Sequence, residues 1–138
     1  MIAAVFDTNV LISGALSPHG SPGRLVDALV EGVVQAVVDD RIWDEYEEVF
    51  RRPFFSFPAC DVDAFLAVLR ARAVYAPLVP GRTHSQKLPD PDDAPFLECA
   101  AALGVPLVTG NPRHYPKSAA RDVEVLSPAA YWARLTGG

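Results

Sequence analysis

The stretch Ile2-Ala-Ala-Val-Phe-Asp-Thr-Asn-Val10 decides the fold. Residues 2–6 are apolar without alternation, the pattern of a short strand buried on both faces in a helix-covered parallel sheet. Asp7 follows at once, with Thr8 and Asn9 beside it. An Asp here can serve as a plain cap of the next turn or helix. A polar cluster just past a buried strand also lies where open parallel sheets place their functional crevice, beyond the carboxyl ends of the strands.

Downstream, the same alternation of elements recurs. Leu16-Ser-Pro-His-Gly-Ser-Pro-Gly23 reads as a loop, residues 24–31 as a helix ended by Gly32, and 33–38 as a second strand. Asp39-Asp40 supplies a helix cap. Ile42, Trp43, Tyr46, Val49 and Phe50 then form a helical stripe that stops at Pro53. Residues 61–73 form another helix, with Phe65, Leu66 and Leu69 inward and Asp61 available as its cap. Residues 74–79 read as a short strand, followed by a polar loop through Pro91. A helix over 92–103 ends at Gly104, strands follow at 105–109 and 123–126, and a helix at 128–135 closes the series. Strands alternating with helices predict an α/β fold, a three-layer α/β/α sandwich on a mainly parallel central sheet. With 138 residues, no repeat and no linker, the expectation is a single domain over 1–138.

Bulk properties narrow the function. A formal charge of −5 argues against a general electrostatic grip on nucleic acid, although bound cations invert local sign. Cys60 and Cys99 have neither paired spacing nor matching histidines, which points away from zinc and towards two reduced, partly buried thiols. The opening residues do not read as an export signal and no apolar run reaches membrane-spanning length, so a cytoplasmic protein is the expectation. Phe54-Phe-Ser-Phe57 can be core or interface, and core is the expectation.

Three acids deserve weighing. Asp7 is the first. At about 100° per residue, Glu45 and Glu47 both flank the stripe of their helix, whereas Asp44 and Glu48 point away; periodicity does not choose between the flanking pair. A solvated acidic face paired to Arg51 and Arg52 is the ordinary alternative. Asp93 aligns with Phe96, Leu97 and Ala100 on an inward face, and a charge aimed at a core needs a cap or a ligand to explain it. Asp90 and Asp92 compete for the cap; Asp93 is favoured as ligand and Asp90 is second. Asn111, in Thr109-Gly-Asn-Pro112, is a natural turn residue that also stands within reach of the same crevice, as does Thr109. Carboxylates without a thiol or histidine cluster suit a hard cation such as Mg²⁺ or Mn²⁺.

Four segments together resemble the PIN domain family, in particular its toxin-like ribonuclease branch: Val5-Phe-Asp-Thr-Asn-Val-Leu-Ile-Ser13, Glu45-Tyr-Glu-Glu-Val-Phe-Arg-Arg-Pro53, Asp90-Pro-Asp-Asp-Ala-Pro-Phe-Leu-Glu-Cys-Ala100 and Leu107-Val-Thr-Gly-Asn-Pro-Arg-His-Tyr115. They occur in family order across nearly the whole chain. The resemblance implies an α/β/α domain and a Mg²⁺- or Mn²⁺-dependent endoribonuclease. It further implies a homodimer silenced by a small antitoxin protein. By position it marks Asp7, Glu45 and Asp93 as the catalytic and metal-holding triad, with Asp90 and Asn111 as further candidates and Thr8, Asn9 and Thr109 as polar support. Asn111 departs from the fourth acid that many members carry, which weakens the case for a second metal. Arg113, His114, Lys117, Arg51 and Arg52 are candidate RNA contacts; surface charge balance is the plain alternative for each.

Other readings fit less well. A phospho-acceptor receiver domain needs paired acids after the first strand and a late lysine, and a haloacid-type phosphatase needs an Asp where Asn9 stands. A catalytically degenerate PIN-like domain that binds RNA or protein is the stronger competitor.

Overall fold

The computed structural model describes residues 2–77, 88–120 and 122–137. Its elements run β1 (Ala3–Phe6), α1 (Thr8–Leu16), α2 (Ser21–Glu31), β2 (Gln35–Val38), α3 (Asp40–Phe50), α4 (Ala59–Arg72), β3 (Val74–Tyr75), α5 (Ala94–Leu103), β4 (Leu107–Val108), β5 (Val125–Leu126) and α6 (Pro128–Leu135). Single 3₁₀ turns occupy Pro53–Phe55, Pro91–Asp93 and Pro112–His114.

The five strands form one all-parallel sheet in the order β3-β2-β1-β4-β5. β1 therefore lies at the centre, and its four residues are all buried, as an uninterrupted apolar run demands. Successive connections step from β1 outward to β2 and β3, then return past β1 to β4. The switch point thus falls between β1 and β4, where an open parallel sheet offers its ligand crevice. α2 packs on α1, α4 and α6, while α5 packs over β1, β2 and β4. α3 touches both α1 and α5, so it spans the crevice end of the sheet. This is the expected α/β/α arrangement.

Several boundaries differ from the sequence reading. α1 was not anticipated, because Val10, Leu11 and Ile12 bury successive positions and leave no amphipathic period to read. α2 begins at Ser21, inside the expected 16–23 loop, with Pro22 in its first turn where a missing N–H costs nothing; Gly32, left-handed at φ 81°, ends it. Asp61 is not the cap of α4; Pro58 occupies that position and Asp61 falls in the first turn. The helix expected from residue 92 opens as a 3₁₀ turn before α5 begins at Ala94. In the expected 74–79 strand, residues 74–75 pair with β2, while 78–79 and much of the following loop (80–87) lie outside the described residues.

Cys99 is buried but Cys60 is exposed, so only one thiol meets the expectation of burial. Burial pushes the Cys99 thiol up to about 12, which leaves it a small apolar core group. The aromatic segment is less buried than expected: Phe55 and Phe57 pack on the core edge with Phe50, but Phe54 is 87% exposed. No helix among the described residues is long and apolar enough to cross a membrane.

The α1–α2 corner is tight. A Cβ on Gly23 would lie 2.2 Å from the Pro18 carbonyl oxygen and 2.5 Å from Pro18 Cα, and neither is free to move as a side chain would. Gly23→Ala is expected to cost about 1–3 kcal/mol through overpacking. Urea unfolding checks this, and an unchanged midpoint would show that the corner relaxes freely.

Candidate functional site

Asp7 stands immediately past β1 as the residue preceding α1, and it is only 6% exposed. Its side chain makes no well-formed cap hydrogen bond to α1, and the Asn9 N–H acts on it less than the hydroxyls of Thr109 and Tyr115 do, so capping alone does not account for it. Oδ2 instead accepts from the hydroxyls of Thr109 (2.9 Å) and Tyr115 (3.0 Å). Thr109, fully buried past β4, also accepts from the Asn111 backbone N–H at 3.1 Å. Asn9 accepts from the Gly110 N–H at 3.3 Å. The loops after β1 and β4 are thereby sewn together at the switch point.

Glu45 is half-buried on α3, as is Glu47, while Asp44 and Glu48 are exposed, which matches the helical wheel. Contacts separate the flanking pair. Glu45 Oε2 accepts a hydrogen bond from the Thr8 hydroxyl. One position on, the buried Tyr46 hydroxyl donates to the Phe6 carbonyl oxygen. That bond ties α3 to the end of β1 and holds Glu45 over the crevice.

Asp93 closes the 3₁₀ turn before α5, with its side chain mostly covered and free of any cap bond. Asp90 performs the capping instead, accepting from the Asp92 N–H at 3.0 Å. Asp90 is exposed, so the structure separates the capping acid from the inward one. His114 Nδ1 lies 3.0 Å from Asp93 Oδ2, the contact of a ring N–H with a carboxylate. Its Nε2 takes no part in that contact.

The electrostatics bind these acids into one site. Burial raises the Asp7 carboxyl, against the hydrogen bonds from Thr109, Tyr115 and the Asn9 backbone. Burial likewise raises Glu45, opposed by the Thr8 bond and reinforced by the charge of Asp7, then by Glu48 and Asp92. Asp93 is pushed up to about 6 by burial, with the charges of Asp7 and Asp90 adding and His114 opposing. Burial and the same acids raise the Tyr115 hydroxyl well above its ordinary value, so it stays a donor. Clustered carboxyls that all resist ionisation are a natural seat for a cation.

Among the described residues, no three His, Cys, Asp or Glu side chains converge tightly enough to cage an ion between them. The donor set nevertheless fits Mg²⁺ or Mn²⁺: hard oxygens only, with one or two carboxylates sufficing because Mg²⁺ keeps several waters. Asp7 and Asp93 could hold such an ion, with Glu45 as a further oxygen donor.

The remaining expected residues fall into two groups. Asn111 and Arg113 are exposed at the rim past β4, and Lys117 lines a cavity of about 480 Å³ with Tyr115 and Val123. Arg51 and Arg52 are already paired, with Asp63 at 2.9 Å and with Glu48 at 2.9 Å. Two residues had escaped the sequence reading. Tyr46 was legible only as a member of the apolar stripe, although a buried Tyr hydroxyl needs a partner. Tyr115 lies in a segment without periodicity, and nothing in the sequence assigned its hydroxyl to Asp7.

A five-stranded parallel sheet with an acidic crevice at its switch point, walled by a crossing helix, defines a PIN-like α/β domain. A PIN domain profile matches residues 3–113, and the chain belongs to that family. Nuclease chemistry and divalent-metal binding are usual among proteins of that family. The chain is also 26% identical over 110 residues to an uncharacterized protein of Methanocaldococcus jannaschii, covering 80% of this chain and 71% of the relative. No solved structure matches the chain.

The raised Asp93 carboxyl has a stability consequence with a definite sign. In the unfolded chain it ionises near pH 4, whereas in the folded protein it holds its proton to about 6. The folded state binds the extra proton in that window, so this group makes stability fall as pH rises from about 4 to about 6. In EDTA, Asp93→Asn is expected to gain in Tm over wild type across that window and level off above it. A Tm difference that does not change with pH would contradict the shift.

Proposed function

We propose that this protein is a Mg²⁺- or Mn²⁺-dependent endoribonuclease, the toxin of a toxin–antitoxin pair. The observation that carries the reading is the gathering of Asp7, Glu45 and Asp93 at the β1/β4 switch point, each carboxyl raised first of all by burial. Asp7 and Asp93 would hold the cation. When bound, it polarises a phosphodiester and lowers the pKa of water. Glu45, set by Thr8 and Tyr46, takes the proton of the attacking water. The new O–P bond forms in line as the bond to the 3′-oxygen breaks, and that oxygen takes a proton from solvent water, leaving a 5′-phosphate and a 3′-hydroxyl.

Arg113, Lys117 and His114 Nε2 are the groups we assign to the RNA backbone, since they follow β4, the strand paired with β1, and His114 touches Asp93. Arg51 and Arg52 contribute less, because each would first have to leave a carboxylate. A small antitoxin protein would silence the enzyme, and the active form would be a homodimer, in keeping with the toxin branch that the four segments resemble. The competing reading, a binding domain without catalysis, draws on Asn111 in place of a fourth acid.

Incubating the purified chain with a mixed RNA pool separates the two. Cleavage is expected with Mg²⁺ or Mn²⁺, none with EDTA, and a loss of roughly 100-fold or more in Asp7→Asn. RNA binding without metal-dependent cleavage would favour the non-catalytic reading.

A further inference from the structure

The turn after β4 touches both metal-holding acids with two consecutive side chains. Pro112–His114 forms a 3₁₀ turn fixed by two backbone bonds, His114 N–H to Asn111 O and Tyr115 N–H to Pro112 O, each 3.0 Å. From it His114 reaches Asp93 Oδ2 and Tyr115 reaches Asp7 Oδ2, again at 3.0 Å each. The two acids come from distant parts of the chain, the end of β1 and the start of α5. Tyr115 is only 3% exposed, so its ring is anchored in the core while its hydroxyl faces the carboxylate.

This arrangement limits what the acids offer a cation. Oδ2 of Asp7 already accepts two hydroxyl bonds, from Tyr115 and Thr109, which fill its two lone-pair directions. Oδ2 of Asp93 accepts from the imidazole. We propose that Tyr115 and His114 are positioning residues of the metal site: one rigid turn fixes the rotation of Asp7 and Asp93, so that each presents its other oxygen, Oδ1, to a divalent cation. Hydrogen-bonded partners of this kind orient metal ligands and commonly govern affinity. The inference rests on the reading of Asp7 and Asp93 as metal-holding acids. The residues carrying it lie at positions 114 and 115, beyond the 3–113 match to the family.

Calorimetric titration with Mn²⁺ at one fixed pH, beside the Tm of each metal-free protein, tests it. Tyr115→Phe keeps the buried ring and removes only the hydroxyl; it is expected to weaken Mn²⁺ binding about 10–100-fold. His114→Leu, at a half-exposed position where folding is not at stake, is expected to weaken it as well. A purely structural role would lower the Tm of Tyr115→Phe and leave the affinity of the folded protein unchanged. Asp7→Asn keeps the two failures apart. If it abolishes binding while Tyr115→Phe and His114→Leu bind as wild type does, the turn has no positioning role. If Asp7→Asn itself binds normally, the metal site has been misplaced, and the role of the turn falls with it.

Discussion

Burying a carboxylate is costly unless its oxygens are satisfied, and that constraint shapes the centre of this protein. Asp7 must sit at the end of the central strand and out of water, yet remain available to the crevice. Two hydroxyls, from Thr109 and Tyr115, supply the compensation. Both come from the segment after β4, so satisfying Asp7 requires β4 to lie beside β1, which is the pairing the sheet adopts. The acid and the strand order are therefore coupled: another neighbour for β1 would leave Asp7 without its donors.

The same logic extends outward. α3 is fastened across the crevice by the Tyr46 hydroxyl on the Phe6 carbonyl, and its amino end is held by Asp39, which caps Ile42 and pairs with Arg41. Arg41 also reaches Glu98 on α5 at 2.7 Å, joining the two helices that carry Glu45 and stand behind Asp93. Each acid of the site is carried by a different element: Asp7 follows β1, Glu45 lies on α3 and Asp93 precedes α5. Such division suits a site whose acids repel one another, because no single element has to hold like charges together. A cation there would offset their mutual repulsion and draw all three carboxyls back down.

Legibility varied with the kind of signal. Buried strands gave continuous apolar runs, and amphipathic helices such as α3 gave a clear period, so the layers and the parallel sheet could be read directly. α1 could not, because it is buried on several sides and its residues show no polar face. Phe54 misled in the opposite sense: an aromatic within a cluster looks like core, yet only its neighbours Phe55 and Phe57 find partners there. Asp90, Asp92 and Asp93 were ambiguous for a different reason. Any of three nearby aspartates can cap a turn, and only the local φ and ψ decide which one does.

By itself, the sequence determined the alternation of strands and helices, the place of Asp7 directly after a buried strand and the separation of Glu45 and Glu47 from the outward Asp44 and Glu48, since these follow from local periodicity and composition. Tertiary structure alone decided which hydroxyl meets which carboxylate. Thr109 and Tyr115 are far from Asp7 along the chain, and no local pattern encodes that meeting. It arises because parallel strands β1 and β4 end at the same edge of the sheet and bring their following loops together.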